Sequence, residues 1–152
     1  MLTTLIIIHI LSAVLGLGPA YAFPFMLKST NSLQAMKHSV GLVARLEMFP
    51  KVFGTLAVLS GLLLIWLGSY GSILQIWLIG TLIIYAGLEV IVIGFLNPAA
   101  KTLQAQLADL PHETDEPLPS LVARKYAHVR NLHTIVGAIS LLIFILMIVK
   151  PA

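Results

Sequence analysis

The sequence predicts an all-α fold: an integral membrane four-helix bundle, N-out and C-out, with helical extensions in the cytoplasm. Three observations predict it. Of 152 residues, 59% are hydrophobic and only 10% charged, where a soluble domain carries about 25% charged residues. Four apolar segments, 2–27, 52–68, 73–96 and 132–149, each suffice to cross a hydrocarbon core of about 30 Å as a helix. The basic residues alternate between sides. Lys28, Lys37, Arg45 and Lys51 lie between the first two segments, and Lys101, Arg124, Lys125 and Arg130 between the last two. The turn Ser69-Tyr70-Gly71-Ser72 carries none. The positive-inside rule then places both longer loops in the cytoplasm of a multi-pass protein, expected in a bacterial inner (cytoplasmic) membrane. One membrane domain over 1–152 leaves no room for a separate soluble module.

Composition narrows the function classes. There are no cysteines, which excludes disulfides, zinc thiolate sites, iron–sulfur clusters and c-type haem attachment. The net charge of +3 sits in loops between apolar segments, so lipid is the expected partner and nucleic acid is not. No phosphate loop, zincin motif or nucleophile triad supports a hydrolase or ATPase. The repeated polar interruptions of a broken-helix transporter are missing too. Ala20-Tyr21-Ala22 resembles a signal-peptidase site, but no Lys or Arg precedes the apolar run, so the segment is read as retained.

The first segment is uncharged apart from His9. An ionisable group inside a span is a functional candidate by default. At 3.6 residues per turn, His9, Ser12, Ala13, Gly16, Ala20 and Phe23 share one stripe of small and weakly polar residues. A neighbouring helix or a flat ligand fits such a stripe. The structural alternative is a core histidine hydrogen-bonded to Ser12 or to a hydroxyl of the third segment.

After it, Asn31 or Ser32 is positioned to cap a helix through Leu33, Met36, Val40 and Val43, and Pro50 to kink it at the membrane. Glycines recur at seven residues in both middle segments, Gly54, Gly61 and Gly68, then Gly80, Gly87 and Gly94. Folding about Tyr70–Gly71 puts Gly61 at the depth of Gly80 and Gly54 at that of Gly87, which predicts a tight antiparallel hairpin.

In the third segment Thr81, Tyr85 and Glu89 form a polar row nearly opposite these glycines. A carboxylate at a span's centre costs about 2.5–3.5 kcal/mol on insertion scales. Lys51, Arg130 and His133 fall near the depth of Glu89. Either a buried ion pair orients the helices, or Glu89 serves a proton relay or a porphyrin propionate. Asn97-Pro98 reads as a cap with a first-turn proline, starting a short helix over 99–110. The stretch 111–119, PHETDEPLP, is acidic and proline-rich and reads as an exposed loop. Ser120 is placed to cap a helix running unbroken through Tyr126 and His133 into the fourth span.

His133 shares a face with Gly137, Ser140 and Phe144, and follows Arg130 and Asn131. The structural alternative is an interfacial histidine beside an arginine snorkelling to phosphates. His38, His112 and His128 read as solvent-facing. The depths of His9 and His133 differ by roughly 15 Å, so one haem iron does not join them. A haem here has one His ligand plus a weak or open position. Copper is a second option, through Met36, His38 and Met48.

Several features together resemble the HemJ-type protoporphyrinogen oxidases and the wider CopD-like group of small four-helix bacterial membrane proteins. They are the early intramembrane His9, the small-residue face, the proline near the end of the first span, Trp77-Leu78 opening the third, Arg130-Asn131 before the last, and the closing Ile148-Val149-Lys150-Pro151-Ala152. The chain looks most like a branch known only as predicted integral membrane proteins. The resemblance implies haem b, with His9 at the family's first-helix histidine and Arg130 and Asn131 loosely at its basic and Asn positions. This sequence departs from the pattern at Ile6, Ile7 and Ile8, where the family has a lysine before the histidine. It departs again at Phe25, and after Trp77, where Leu78, Ile79, Gly80 and Thr81 stand.

The expectation that unites these features is a haem-b-binding membrane redox protein. His9 is the axial ligand, and Ser12, Ala13 and Gly16 make room for the ring. Arg130 and Lys51 neutralise propionates, and electrons come from quinone or a porphyrin. As an enzyme it would be a membrane oxidoreductase; no catalytic residue is assigned. The alternatives are a non-enzymatic scaffold or accessory subunit, and CopD-like copper handling. Four short spans leave much lipid-facing surface, which favours a homo-oligomer.

Overall fold

The computed structural model describes residues 2–68, 75–110 and 119–151. The first apolar run forms α1, Leu2–Met26, and continues past Pro19 and Pro24, as spans do when neighbouring helices re-satisfy the freed carbonyls. The remaining helices are α2 (Leu33–Leu46), α3 (Met48–Leu67), α4 (Ile76–Ile91), α5 (Asn97–Asp109) and α6 (Ser120–Val149). The described residues contain no strand. Four helical runs, Leu2–Met26, Leu33–Leu67, Ile76–Asp109 and Ser120–Val149, are long and apolar enough to cross a membrane. The turn at 69–72 and most of the acidic loop, 111–118, lie outside the described residues.

Local signals explain the boundaries. The Ser32 hydroxyl accepts from the Ala35 N–H at 3.3 Å and starts α2. A turn at Glu47, still helical in backbone, separates α2 from α3, and Pro50 falls in the first turn of α3, where its missing N–H costs nothing. Ser120 does not cap α6; it is the first helical residue, after Pro119. The unbroken course of α6 through Tyr126 and His133 matches expectation. At 30 residues it is about 45 Å long, longer than a hydrocarbon core, so its first turns project beyond the span.

Asn97-Pro98 does not start a new helix. A π-helical turn, Val92–Leu96, joins α4 to α5 without a break, and the Asn97 N–H bonds back to Val92 O. The reason lies in Pro98, whose ring would press on the carbonyl of Gly94 in a regular α-helix. Widening the turn by one residue relieves the clash.

The order of packing is α3 on α1, α1 on α6, and α6 on α4. This corrects the expected glycine hairpin, for α3 and α4 do not form a comparable seam. Gly54 meets α1 instead: a Cβ on Gly16 would lie 2.7 Å from the Gly54 nitrogen. Gly61 takes the imidazole of His9, and Gly80 looks toward Leu146 of α6. Gly87 and Gly94 have open space around them. Two glycine stripes can approach closely only where both meet bare backbone, and Gly16 gives α3 that partner.

The best-buried core lies away from the chain's ends. Leu27 joins Met36, Val40 and Val43 of α2, Leu103 and Leu107 of α5, and Val122, Tyr126 and Val129 of α6, all at most 7% exposed. The Tyr126 hydroxyl donates to the Lys28 carbonyl at 3.1 Å, and Lys37 Nζ donates to Leu110 O, at the end of α5, at 2.7 Å. Around the four spans, by contrast, Ile10, Leu11, Val14, Leu59, Ile83, Val90, Leu141 and Ile145 are exposed, the surface that lipid covers.

Candidate functional site

The site forms where α1 crosses α3. The stripe expected on α1 is real: Ser12, Gly16, Ala20 and Phe23 are buried, and His9 and Ala13 are half-buried. Its lower part is filled by protein. Gly16 lies against the Gly54 backbone, and Phe23 meets His133 edge to face, with ring centroids 5.2 Å apart. His9, at the N-terminal end of the stripe, packs its ring over Gly61 of α3.

Its imidazole is anchored by α3. Nδ1 lies 2.9 Å from the Ala57 carbonyl and 3.2 Å from the Ser60 hydroxyl oxygen. The absence of a Cβ on Gly61 admits the ring, since such a carbon would sit 3.0 Å from His9 Cε1. Nε2 has no hydrogen-bond partner among the described residues. Beyond the histidine, toward the ends of α1 and α3, a half-open apolar groove of about 580 Å³ is lined by Leu2, Thr4, Leu5, Ile8, Leu63 and Leu67. That volume falls within the range of small-molecule and cofactor sites, about 300–1,000 Å³.

The other expected residues are placed elsewhere. Lys51 is exposed and pairs with Glu47 one turn before it, at 3.1 Å. It lies ten residues from Gly61, about 15 Å along α3. Arg130 is half-buried and Asn131 exposed on α6, beside the buried core of α2, α5 and α6. His133 is buried at 2% exposure with Nε2 unpartnered. Its contact with Phe23 puts it fourteen residues along α1 from His9, about 21 Å away. The two histidines are indeed too distant for one iron.

Glu89 is not in an ion pair with Lys51, Arg130 or His133; the ion pair among the described residues is Lys51–Glu47. Its partner is on its own helix, the Tyr85 hydroxyl, which donates to Glu89 Oε1 at 2.5 Å. Thr81, of the same polar row, is buried and donates to Trp77 O. The copper candidates diverge as well: Met36 is core at 2% exposure, while His38 and Met48 are exposed. No group of three His, Cys, Asp or Glu side chains among the described residues converges on a metal position. His128 is exposed as expected, and His112 lies outside the described residues.

Two features of the resemblance come together in space. Lys150 Nζ sits 5.4 Å from the Trp77 ring centroid, which brings the C-terminal cap of α6 to the tryptophan that opens the third span. Ser60 and Gly61 are the site residues that sequence reasoning missed, because Gly61 counted only as a packing glycine. A signal existed: Ser60 lies seven residues from the end of α3 at Leu67, and His9 seven from the start of α1 at Leu2. In antiparallel spans those polar residues share a depth.

The family model described as "Predicted integral membrane protein (DUF2269)" matches residues 3–151. The chain belongs to that family and is an integral, multi-pass membrane protein. No curated protein and no solved structure matches it.

Proposed function

We propose that this family member is a haem-b-binding redox protein of the bacterial inner membrane, with His9 as the axial ligand. The observation that carries this reading is the pose of His9: one ring nitrogen is tied to α3 through the Ala57 carbonyl and the Ser60 hydroxyl, and the other has no hydrogen-bond partner among the described residues, inside a span. Histidines that ligate metals typically donate their second N–H to a carbonyl or carboxylate, which fixes the ring and raises ligand basicity. The HemJ- and CopD-like resemblance supports the same assignment.

Haem b bound there would supply one-electron chemistry at its iron. The residues of this chain would do the rest. His9 would be the residue that holds the haem iron, and Gly61 leaves space for the imidazole. Leu5, Ile8, Leu63 and Leu67 would give the groove apolar walls. Ser12, Ala13 and Gly16 support the ligand from behind by seating α1 on α3. Lys51 and Arg130 lie too far along their helices to meet a carboxylate beside His9 and are not assigned that role. The electron partner would be a lipid-soluble quinone or a porphyrin, reached through the open side of the groove. An oligomer would cover the exposed faces of α3 and α4.

A second reading has its own support. The same hydrogen bonds close the α1–α3 joint, so His9 also fits a purely structural clip in a scaffold or accessory subunit. Haem titration of the purified, detergent-solubilised chain separates the two. The redox reading expects stoichiometric binding that weakens at least tenfold in His9→Ala. The clip expects no saturable binding by either.

A further inference from the structure

We propose that the Ala57 carbonyl of α3 fixes the tautomer of His9 before any ligand arrives, and that Ser60 is the positioning residue that holds the ring against it. The inference deepens the haem reading and rests on the same site, but concerns the protein alone. A neutral imidazole carries its hydrogen on one nitrogen and a lone pair on the other, and the neighbours decide which. Three contacts decide it here.

The Ala57 carbonyl, 2.9 Å from Nδ1, has no hydrogen to give. A lone pair on Nδ1 would face a lone pair on that oxygen; a hydrogen on Nδ1 makes a bond of ordinary length. The Ser60 hydroxyl is the second neighbour, 3.2 Å from Nδ1. It has a single hydrogen, and its shortest contact is to the Leu56 carbonyl, at 2.7 Å. Its other backbone neighbour, Ala57 O at 3.1 Å, is also an acceptor. With its hydrogen committed to the backbone, Ser60 turns a lone pair toward His9.

Both α3 oxygens therefore accept, and Nδ1–H donates to them. The lone pair of the neutral ring is left on Nε2, the nitrogen without a protein partner. Without Ser60 the ring keeps one acceptor and gains room to turn. The α3 turn thus makes His9 a lone-pair donor at Nε2, suited to a Lewis-acidic centre rather than to a hydrogen-bond acceptor. Gly61 is the steric half of the device. A Cβ there would press on Cε1 at 3.0 Å and shift the ring off the Ala57 carbonyl.

Side-chain ¹⁵N spectroscopy of the full-length, haem-free protein in bilayers tests this, with His9 assigned by the signal lost in His9→Gln. The expected result is a protonated Nδ1 and an unprotonated Nε2. Ser60→Ala should keep Nδ1 protonated but give a mobile ring, and Ser60→Thr, which keeps the hydroxyl, should restore the rigid one. Gly61→Ala, which presses the ring off the Ala57 carbonyl, gives an independent perturbation and should lose the single tautomer. A wild-type spectrum with the hydrogen on Nε2, or a Ser60→Ala spectrum identical to wild type, overturns the proposal. The haem reading fails separately: a correct tautomer with no haem binding leaves the lock standing and removes the cofactor.

Discussion

Gly16 of α1 and Gly54 of α3 meet backbone to backbone, so closely that a single methyl on Gly16 would come within 2.7 Å of the Gly54 nitrogen. This contact sets the separation of the two helices and, with it, the reach of His9, about two turns away on α1, to the Ala57 carbonyl. Packing and candidate chemistry are coupled at this seam.

Gly16→Leu should therefore cost about 1–3 kcal/mol by overpacking, read as a lower melting temperature in detergent. Gly87→Leu, which enters open space, should change stability by less than about 0.5 kcal/mol. Equal sensitivity at both positions would contradict the packing order.

The packing order also predicts cross-linking. The chain has no native cysteine, so introduced pairs report cleanly. Ala20→Cys with Gly137→Cys should react with a short bifunctional reagent, since a Cβ at Gly137 would lie 3.6 Å from Ala20 O. Gly61→Cys with Gly80→Cys should not. The reverse pattern would restore the glycine hairpin.

Glu89→Gln should be tolerated or mildly stabilising. It keeps an acceptor for the Tyr85 hydroxyl and removes a carboxyl from a span, where charge is costly. Glu89→Leu removes that acceptor, and an orphaned partly buried hydroxyl costs about 1–3 kcal/mol. Chemical or thermal unfolding of the two variants gives the comparison; a severe loss in Glu89→Gln would mean that the charge itself is needed.

At the other end of the molecule, Lys37→Ala should release the last turn of α5. Lys37 Nζ bonds the Leu110 carbonyl, a C-terminal contact worth roughly 0.5–1.5 kcal/mol. Hydrogen exchange should quicken in residues of that turn. Lys51→Ala removes a pair whose lysine side chain is 63% exposed and should have little effect, as exposed pairs do.

Much of this was legible in the sequence, and physics explains the division. The four spans, the course of α6 through His133, the Ser32 cap and the buried stripe of α1 follow from hydropathy and helical period, which are local. The partner of each stripe is not local. Gly54 and Gly61 announce a close helix contact without saying whose, and α1 supplied it where α4 was expected. Likewise Asn97-Pro98 looks like a helix start, because the π-helical turn that absorbs Pro98 leaves no mark in the sequence. Glu89 was matched with distant cations by depth, while its partner, Tyr85, lay one turn away in the polar row already recognised. His9 stood out as a charge-capable group in lipid; Ser60 did not, because a lone serine in a span carries no such cost.

The absorption spectrum of the protein purified from haem-sufficient cells, oxidised and then dithionite-reduced, beside His9→Ala, asks directly whether His9 holds haem. The expected result is a Soret band that shifts on reduction in the wild type and is lost in the variant. A wild-type protein without a Soret band, or a band that persists unchanged in His9→Ala, would contradict it.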